Sequence, residues 1–165
     1  MLSPSLTDAL NEQLKQELYS SYLYLQMSAY CDAQNLPGFS HWLRVQAEEE
    51  REHAMKFYDF ILDRDGKLAL QALPQPPREF GSPVDLFEQV LGHEQEITSL
   101  IEQLYRKAGS EQDHATQIFL EWFITEQIEE EKTASELLET LRMAGDSKVA
   151  LLMLDRELGA RTAGA

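Results

Sequence analysis

A single cysteine, Cys31, is the only thiol in this 165-residue chain, so no intrachain disulfide can form and the fold must be held by packing. That scarcity agrees with a reducing compartment, and Cys31 is expected to be a packing residue. No apolar run approaches the roughly 18 to 20 residues that a bilayer-crossing helix requires, which argues against a membrane protein. Met1-Leu2-Ser3-Pro4 has neither the basic start nor the apolar stretch of a secretory leader, so a cytoplasmic location is expected. Basic side chains are also few: 14 Lys and Arg against 29 Asp and Glu give a formal charge of -15. Such a field repels nucleic acid and anionic membranes, neither of which is expected as a partner, and attracts cations. Period-two alternation rich in β-branched residues is missing throughout, so strands are not expected and the fold class is all-α.

What is present is helical periodicity cut by a few strong breaks. Ser3-Pro4 reads as an N-cap followed by proline, opening a first helix over about 4–35 that ends at Leu36-Pro37-Gly38. A second helix covers about 39–65, closed by Asp65-Gly66. Residues 67–81 contain Pro74, Pro76, Pro77 and Gly81 and read as an extended crossing segment. Ser82-Pro83 repeats the opening signal for a third helix over about 83–108. Gly109-Ser110 reads as a turn before a fourth over about 111–143, and Asp146 as the cap of a short fifth helix over about 146–158. Gly159 to Ala165 read as a frayed end. The expected architecture is one domain spanning 1–165, a four-helix bundle whose short connections make two antiparallel hairpins. The 15-residue crossing segment reaches about 50 Å when extended at ~3.3 Å per residue, enough to pass a 28-residue helix of about 42 Å. One long crossover would then set the second and third helices parallel.

Every long apolar stripe has a polar interruption. The first helix reads Leu10, Leu14, Glu17, Ser21, Tyr24, and the second Leu43, Ala47, Glu50, Ala54, Phe57, Ile61 with His53 one turn from Glu50. The third reads Val90, Glu94, Ile97, Ile101, Leu104, and the fourth Leu120, Phe123, Gln127, Glu130, Ala134, Leu137, Leu141. Facing residues of an antiparallel hairpin have indices whose mean falls at the turn. The midpoint of 17 and 50 is 33.5, near the first break, and that of 94 and 127 is 110.5, at the third. Glu50 follows Gly38 by 12 residues, as Glu94 follows Ser82, which is the register of a parallel pair. All four helices thus bring a ligand-type side chain to one level.

Taken alone, Glu48-Glu49-Glu50-Arg51-Glu52 would be a solvated helix face, and Glu-x-x-His is a common chance pattern. The shared level outweighs both. Buried carboxylates need pairing or a metal, and the stripes hold no Lys or Arg there to neutralise them. Oxygen-rich ligands with one imidazole suit iron or manganese better than structural zinc. Glutamates on several helices with Glu-x-x-His are the arrangement of paired-metal bundles. Tyr24 and Trp122 are expected as packing residues, and His41, His93 and His114 as surface or capping residues.

The residues Glu17-Leu18-Tyr19-Ser20-Ser21-Tyr22-Leu23-Tyr24, Glu49-Glu50-Arg51-Glu52-His53-Ala54, Glu94 and Glu126-Gln127-Ile128-Glu129-Glu130 resemble the ferritins of the non-haem bacterial type over almost the whole chain. The resemblance implies an iron store whose ferroxidase centre oxidises Fe(II) with dioxygen or peroxide. Glu17, Glu50 and His53 would hold one iron, and Glu50, Glu94 and Glu130 the second. Gln127 would position oxygen species, and Tyr24 would stand by as an electron donor. A third iron position would use Glu49, Glu126, Glu129 and Glu130, and the assembly would be a cage of 24 subunits. Bacterioferritins carry a second Glu-x-x-His where this chain has Gln127-Ile128-Glu129-Glu130, and a haem-ligating methionine where it has Arg51, so haem is not expected. At the places of the acidic three-fold channel residues of animal ferritins stand Gln117 and Leu120, which leaves Asp113, Gln117 and Glu121 as a substitute. Two other readings remain open: a non-storage di-iron oxidase or peroxidase of the same fold, and a helical module whose acidic face binds a basic partner.

Overall fold

A computed structural model of the chain describes residues 1–164. Five helices follow one another: α1 (Pro4–Ala33), α2 (Pro37–Asp63), α3 (Pro83–Ser110), α4 (His114–Ala144) and α5 (Lys148–Leu158). No strand occurs among the described residues. The expected all-α bundle with one long crossover and a short fifth helix is what the chain adopts.

Local chemistry explains each boundary. The Ser3 side chain accepts from the Leu6 amide, and Ser82 and Asp85 form a reciprocal capping box. The fourth helix begins three residues later than expected because Asp113 is its cap, accepting from the Thr116 amide, and the fifth begins at Lys148 because Ser147, not Asp146, caps it. Pro4, Pro37 and Pro83 all sit at first helical positions, where no amide hydrogen is needed. Three helices end on the same motif with a residue other than glycine in the left-handed position. Asn35, Asp65 and Gln112 take φ of 59°, 56° and 57°, and the following amide of Leu36, Gly66 or Asp113 donates back to Cys31, Ile61 or Ala108. The turn between α3 and α4 therefore lies at 111–113, and Gly109 is part of the last turn of α3, where a Cβ would meet the Gln117 side-chain nitrogen at 2.8 Å.

The crossover runs beside α1. Its start is gripped by Asn11, which donates to the Lys67 carbonyl and accepts from the Ala69 amide. Its end is held by Tyr30, whose hydroxyl donates to the Gly81 carbonyl. Asn11 and Tyr30 are 19 positions apart on α1, about 28 Å of rise. The chain leaves the end of α2 near the start of α1 and enters α3 near the end of α1, so α2 and α3 are parallel.

Two apolar cores fill the bundle. One gathers Tyr24, Met27, Phe39, Leu43, Phe87, Val90, Ala134 and Leu138, the other Leu6, Leu10, Leu14, Phe57, Ile61, Ile97, Ile101, Leu120 and Phe123. The polar residues of the stripes lie between them. The stripe on α4 runs through Leu138 rather than Leu137, and that on α1 through Ser20 rather than Ser21, because over several turns a straight helix drifts from a regular three-four alternation.

α5 docks against the opening of α2. Leu36 offers α2 no side-chain cap, and Asp155 of α5 supplies one by accepting from the Phe39 amide at 3.0 Å. The approach is close enough that a Cβ on Gly38 would lie 1.6 Å from the Asp155 carbonyl oxygen. Gly38→Ala should force the two helices apart and cost about 1–3 kcal/mol, the range for overpacking. Hydrogen exchange followed by mass spectrometry should show α5 amides losing protection before those of α1. Unchanged protection of α5 would contradict this account of the contact.

Candidate metal centre

Between the two cores, Glu17 of α1, Glu50 and His53 of α2, Glu94 of α3 and Gln127 of α4 meet with their side chains almost wholly buried, and Glu130 of α4 closes the group at its edge. Three sets of ligand atoms lie within 4.8 Å of one another: Glu17, Glu50 and His53; Glu50, Glu94 and Glu130; and His53, Glu126 and Glu130. Glu50 joins the first set to the second, and Glu130 joins the second to the third. The His53 ring serves the first and third through opposite edges, with Nδ1 3.2 Å from Glu50 and Nε2 4.0 Å from Glu126.

Neutral donors hold the carboxylates. The Gln13 amide donates to Glu17 at 2.8 Å, and the Gln46 amide donates both to Glu50 at 3.1 Å and to Glu130 at 2.7 Å. The Tyr24 hydroxyl donates to Glu94. The Gln127 amide donates to the Glu94 carbonyl and carboxylate at 3.1 Å and to the Thr98 hydroxyl, which itself donates to Glu131 at 2.6 Å. His53 packs edge-on against Trp122, with ring centroids 5.2 Å apart, and Phe123 closes the same wall.

Burial raises the pKa of Glu17 and Glu130, and raises those of Glu50 and Glu94 well above the ordinary carboxylate range. The next largest causes are the neighbouring charges: Glu17 and Glu130 act on Glu50, and Glu50 and Glu130 on Glu94. Burial, followed by the charge of Glu94, pushes the Tyr24 phenol well up. Ionised carboxylates this close and this dry require cations. The donor set of hard oxygens and one imidazole fits iron or manganese, and its shared carboxylates fit two ions side by side.

The remaining expected residues are not all placed alike. Glu126 turns toward His53, whereas Glu129 is exposed and belongs to none of the three sets. Glu49 is engaged by Arg161 at 2.6 Å. That guanidinium lies on none of the four stripes, which hold no Lys or Arg at this level, and reaches Glu49 from the segment after α5. The end after α5 is not frayed through 164; it folds back on α2, and only Ala165 lies outside the described residues. His93 is half-buried rather than freely exposed: its ring bonds Ser20 at 2.7 Å, lies edge-on to Tyr24 at 5.7 Å, and burial lowers its pKa to about 4. His41 and His114 are exposed. Leu120 is fully buried and cannot line a channel, and Asp113 is committed to capping α4 and pairing with Arg64 at 3.0 Å. Stripe reasoning did not single out Gln13, Gln46 and Thr98. Gln13 and Gln46 each lie one turn before a buried glutamate, a spacing that pairs side chains on one helix face.

Such a bundle, with an interior layer of shared carboxylates, defines a class of metal-binding helical proteins. A ferritin-like domain model matches residues 7–144. The bacterial non-haem ferritin of Bacteroides fragilis is 38% identical over 98% of this chain and 100% of its own length, and that of Staphylococcus saprophyticus is 40% identical over 98% and 97%. Among solved structures, an open-pore ferritin from the hyperthermophilic archaeon Archaeoglobus fulgidus superposes with a TM-score of 0.97 at 46% identity, covering 98% of this chain and 100% of that one. The chain belongs to the ferritin family.

Because Glu50 and Glu94 hold protons in the folded state that the unfolded chain has already lost, the stability of the metal-free protein should fall as pH rises from about 4.5 through their raised values, then level off. Cation binding needs the ionised oxygens and must expel those protons. Co(II) titrations in buffers of different ionisation enthalpy should reveal proton release near neutral pH, with a larger metal-induced rise in Tm at about pH 7 than at about pH 5. Binding without proton release would contradict the buried-acid description.

Proposed function

We propose that this chain is an iron-storage ferritin that oxidises Fe(II) at a two-iron centre within each subunit and stores the Fe(III) as a mineral inside a cage of 24 copies. The observation that carries the reading is the sharing of Glu50 between two three-ligand sets. Glu17, Glu50 and His53 would hold one Fe(II), and Glu50, Glu94 and Glu130 the other. A single carboxylate common to both keeps the ions near enough to deliver electrons to one oxidant.

In the reaction proposed, each Fe(II) gives up one electron, and dioxygen takes both with two protons to leave two Fe(III) and hydrogen peroxide. With peroxide as oxidant, two electrons and two protons yield two waters. Protons displaced from the buried glutamates as Fe(II) enters are a local supply for either reaction. Gln127, fixed by Glu94 and Thr98, would position the oxygen species, and Tyr24, bonded to Glu94, would be a reserve electron donor. Glu126, with His53 and Glu130, faces the outer side of the pair, where a third iron would rest on its way to the store, and Glu129 lies on the same α4 segment.

Assembly is supported by exposed apolar side chains on α5, Val149, Leu152 and Met153, each more than half exposed in the single chain. No described helix is long and apolar enough to cross a membrane, and the location proposed is the cytoplasm. Loading the metal-free protein anaerobically with Fe(II) and then admitting oxygen should give a fast, transient absorbance. Glu50→Ala should slow that phase by at least about 10- to 100-fold, the scale on which even outer-shell partners of a metal act. Chromatographic sizing with metal analysis should find a large oligomer retaining far more iron than its binding sites can hold. A monomer or dimer without retained iron would favour the non-storage oxidase instead.

A further inference from the structure

After α5 the chain turns back over α2, and Arg161 anchors it there. One guanidinium nitrogen meets Glu49 at 2.6 Å, and the other donates to the Trp42 carbonyl at 3.2 Å and to the Gln46 side-chain oxygen at 3.0 Å. The guanidinium stacks 4.4 Å over the Trp42 ring, the Arg161 carbonyl lies 2.7 Å from the His41 ring nitrogen, and the Gly164 amide takes the second Glu49 oxygen at 3.0 Å. Arg161 is 11% exposed and Glu49 17%. Both oxygens of Glu49 are therefore used by the tail. Gln46, held on its oxygen side by Arg161, is the same amide that donates to Glu50 and Glu130.

A planar guanidinium is permanently charged and matches carboxylate geometry, so it competes with a metal ion for a glutamate without needing to be loaded from solution. We propose that Arg161 is a tethered cation that occupies the outer position beside Glu49 and so limits how many metal ions each subunit binds. Glu49 is thereby a tail anchor rather than a metal ligand in this chain, and an ion that reaches the outer side, met only by Glu126, Glu130 and the far edge of His53, is not retained there while Arg161 is in place. Through Gln46, the same contact orients two carboxylates of the inner pair, making Arg161 a positioning residue for them. The proposal rests on the two-metal reading above.

Zn(II), which is redox-inert, tests it without any turnover. Metal-free assembled protein is titrated calorimetrically with Zn(II), and the saturated protein is analysed for bound metal. Arg161→Ala should bind one more Zn(II) per chain than the unmodified protein. Glu49→Gln alone should bind the same number, and the double variant should lose the gain. An unchanged count in Arg161→Ala, a lost ion in Glu49→Gln, or a gain that survives in the double variant would each overturn the proposal. Glu50→Ala reports separately on the inner pair: if its count equals that of the unmodified protein, the two-metal reading fails whatever Arg161 does.

Discussion

Moving an ionised carboxylate out of water costs several kcal/mol unless a partner compensates it, and in this bundle Glu17, Glu50 and Glu94 are each no more than 2% exposed. Most of the remaining architecture can be understood as support for that cost. Amide and hydroxyl donors from Gln13, Gln46, Tyr24 and Gln127 supply hydrogen bonds but no positive charge. The protein alone therefore leaves the layer short of cations, a deficit that protonation offsets and that bound metal ions would fill. Two apolar cores, one on each side, keep the layer rigid while it is in this unsatisfied condition.

Rigidity also depends on register. A slip of one residue along any helix would rotate its ligand by about 100° away from the layer. Short hairpin connections set α1 against α2 and α3 against α4, and the crossover, gripped by Asn11 at one end and Tyr30 at the other, sets one hairpin against the other. Asn35, Asp65 and Gln112 in left-handed conformation end three helices at defined residues, so the ligand heights are counted from firm origins.

Helix class, hairpin pairing and the level of Glu17, Glu50, Glu94 and Gln127 were legible in the sequence because each is a property of spacing along one helix or across one short turn. The left-handed ends were harder to place, since Asp65 rather than Gly66 takes the positive φ and Gln112 does so with no glycine beside it. His93 was hidden for a related reason: nothing in its own helix announces that Ser20 and the face of α1 cover it. The outer side of the centre was the least legible, because Arg161 reaches Glu49 across 112 residues of chain. Periodicity describes which face of a helix turns inward, and it carries no information on which distant segment lies over that face.

Asp155 gives α5 a role larger than its eleven residues. The Phe39 amide in the first turn of α2 would otherwise be an open donor, and α2 carries Glu50 and His53 a few turns further on. α5 also displays Val149, Leu152 and Met153 outward, and the tail that follows it bears Arg161. The exposed apolar face on which the proposed assembly would draw and the scaffolding of the carboxylate layer therefore share one short strut. α5 and its tail meet α2 through a borrowed cap at one end and a guanidinium at the other, so in the assembly proposed above, packing on the outer face of α5 would bear on the same helix that carries the interior ligands.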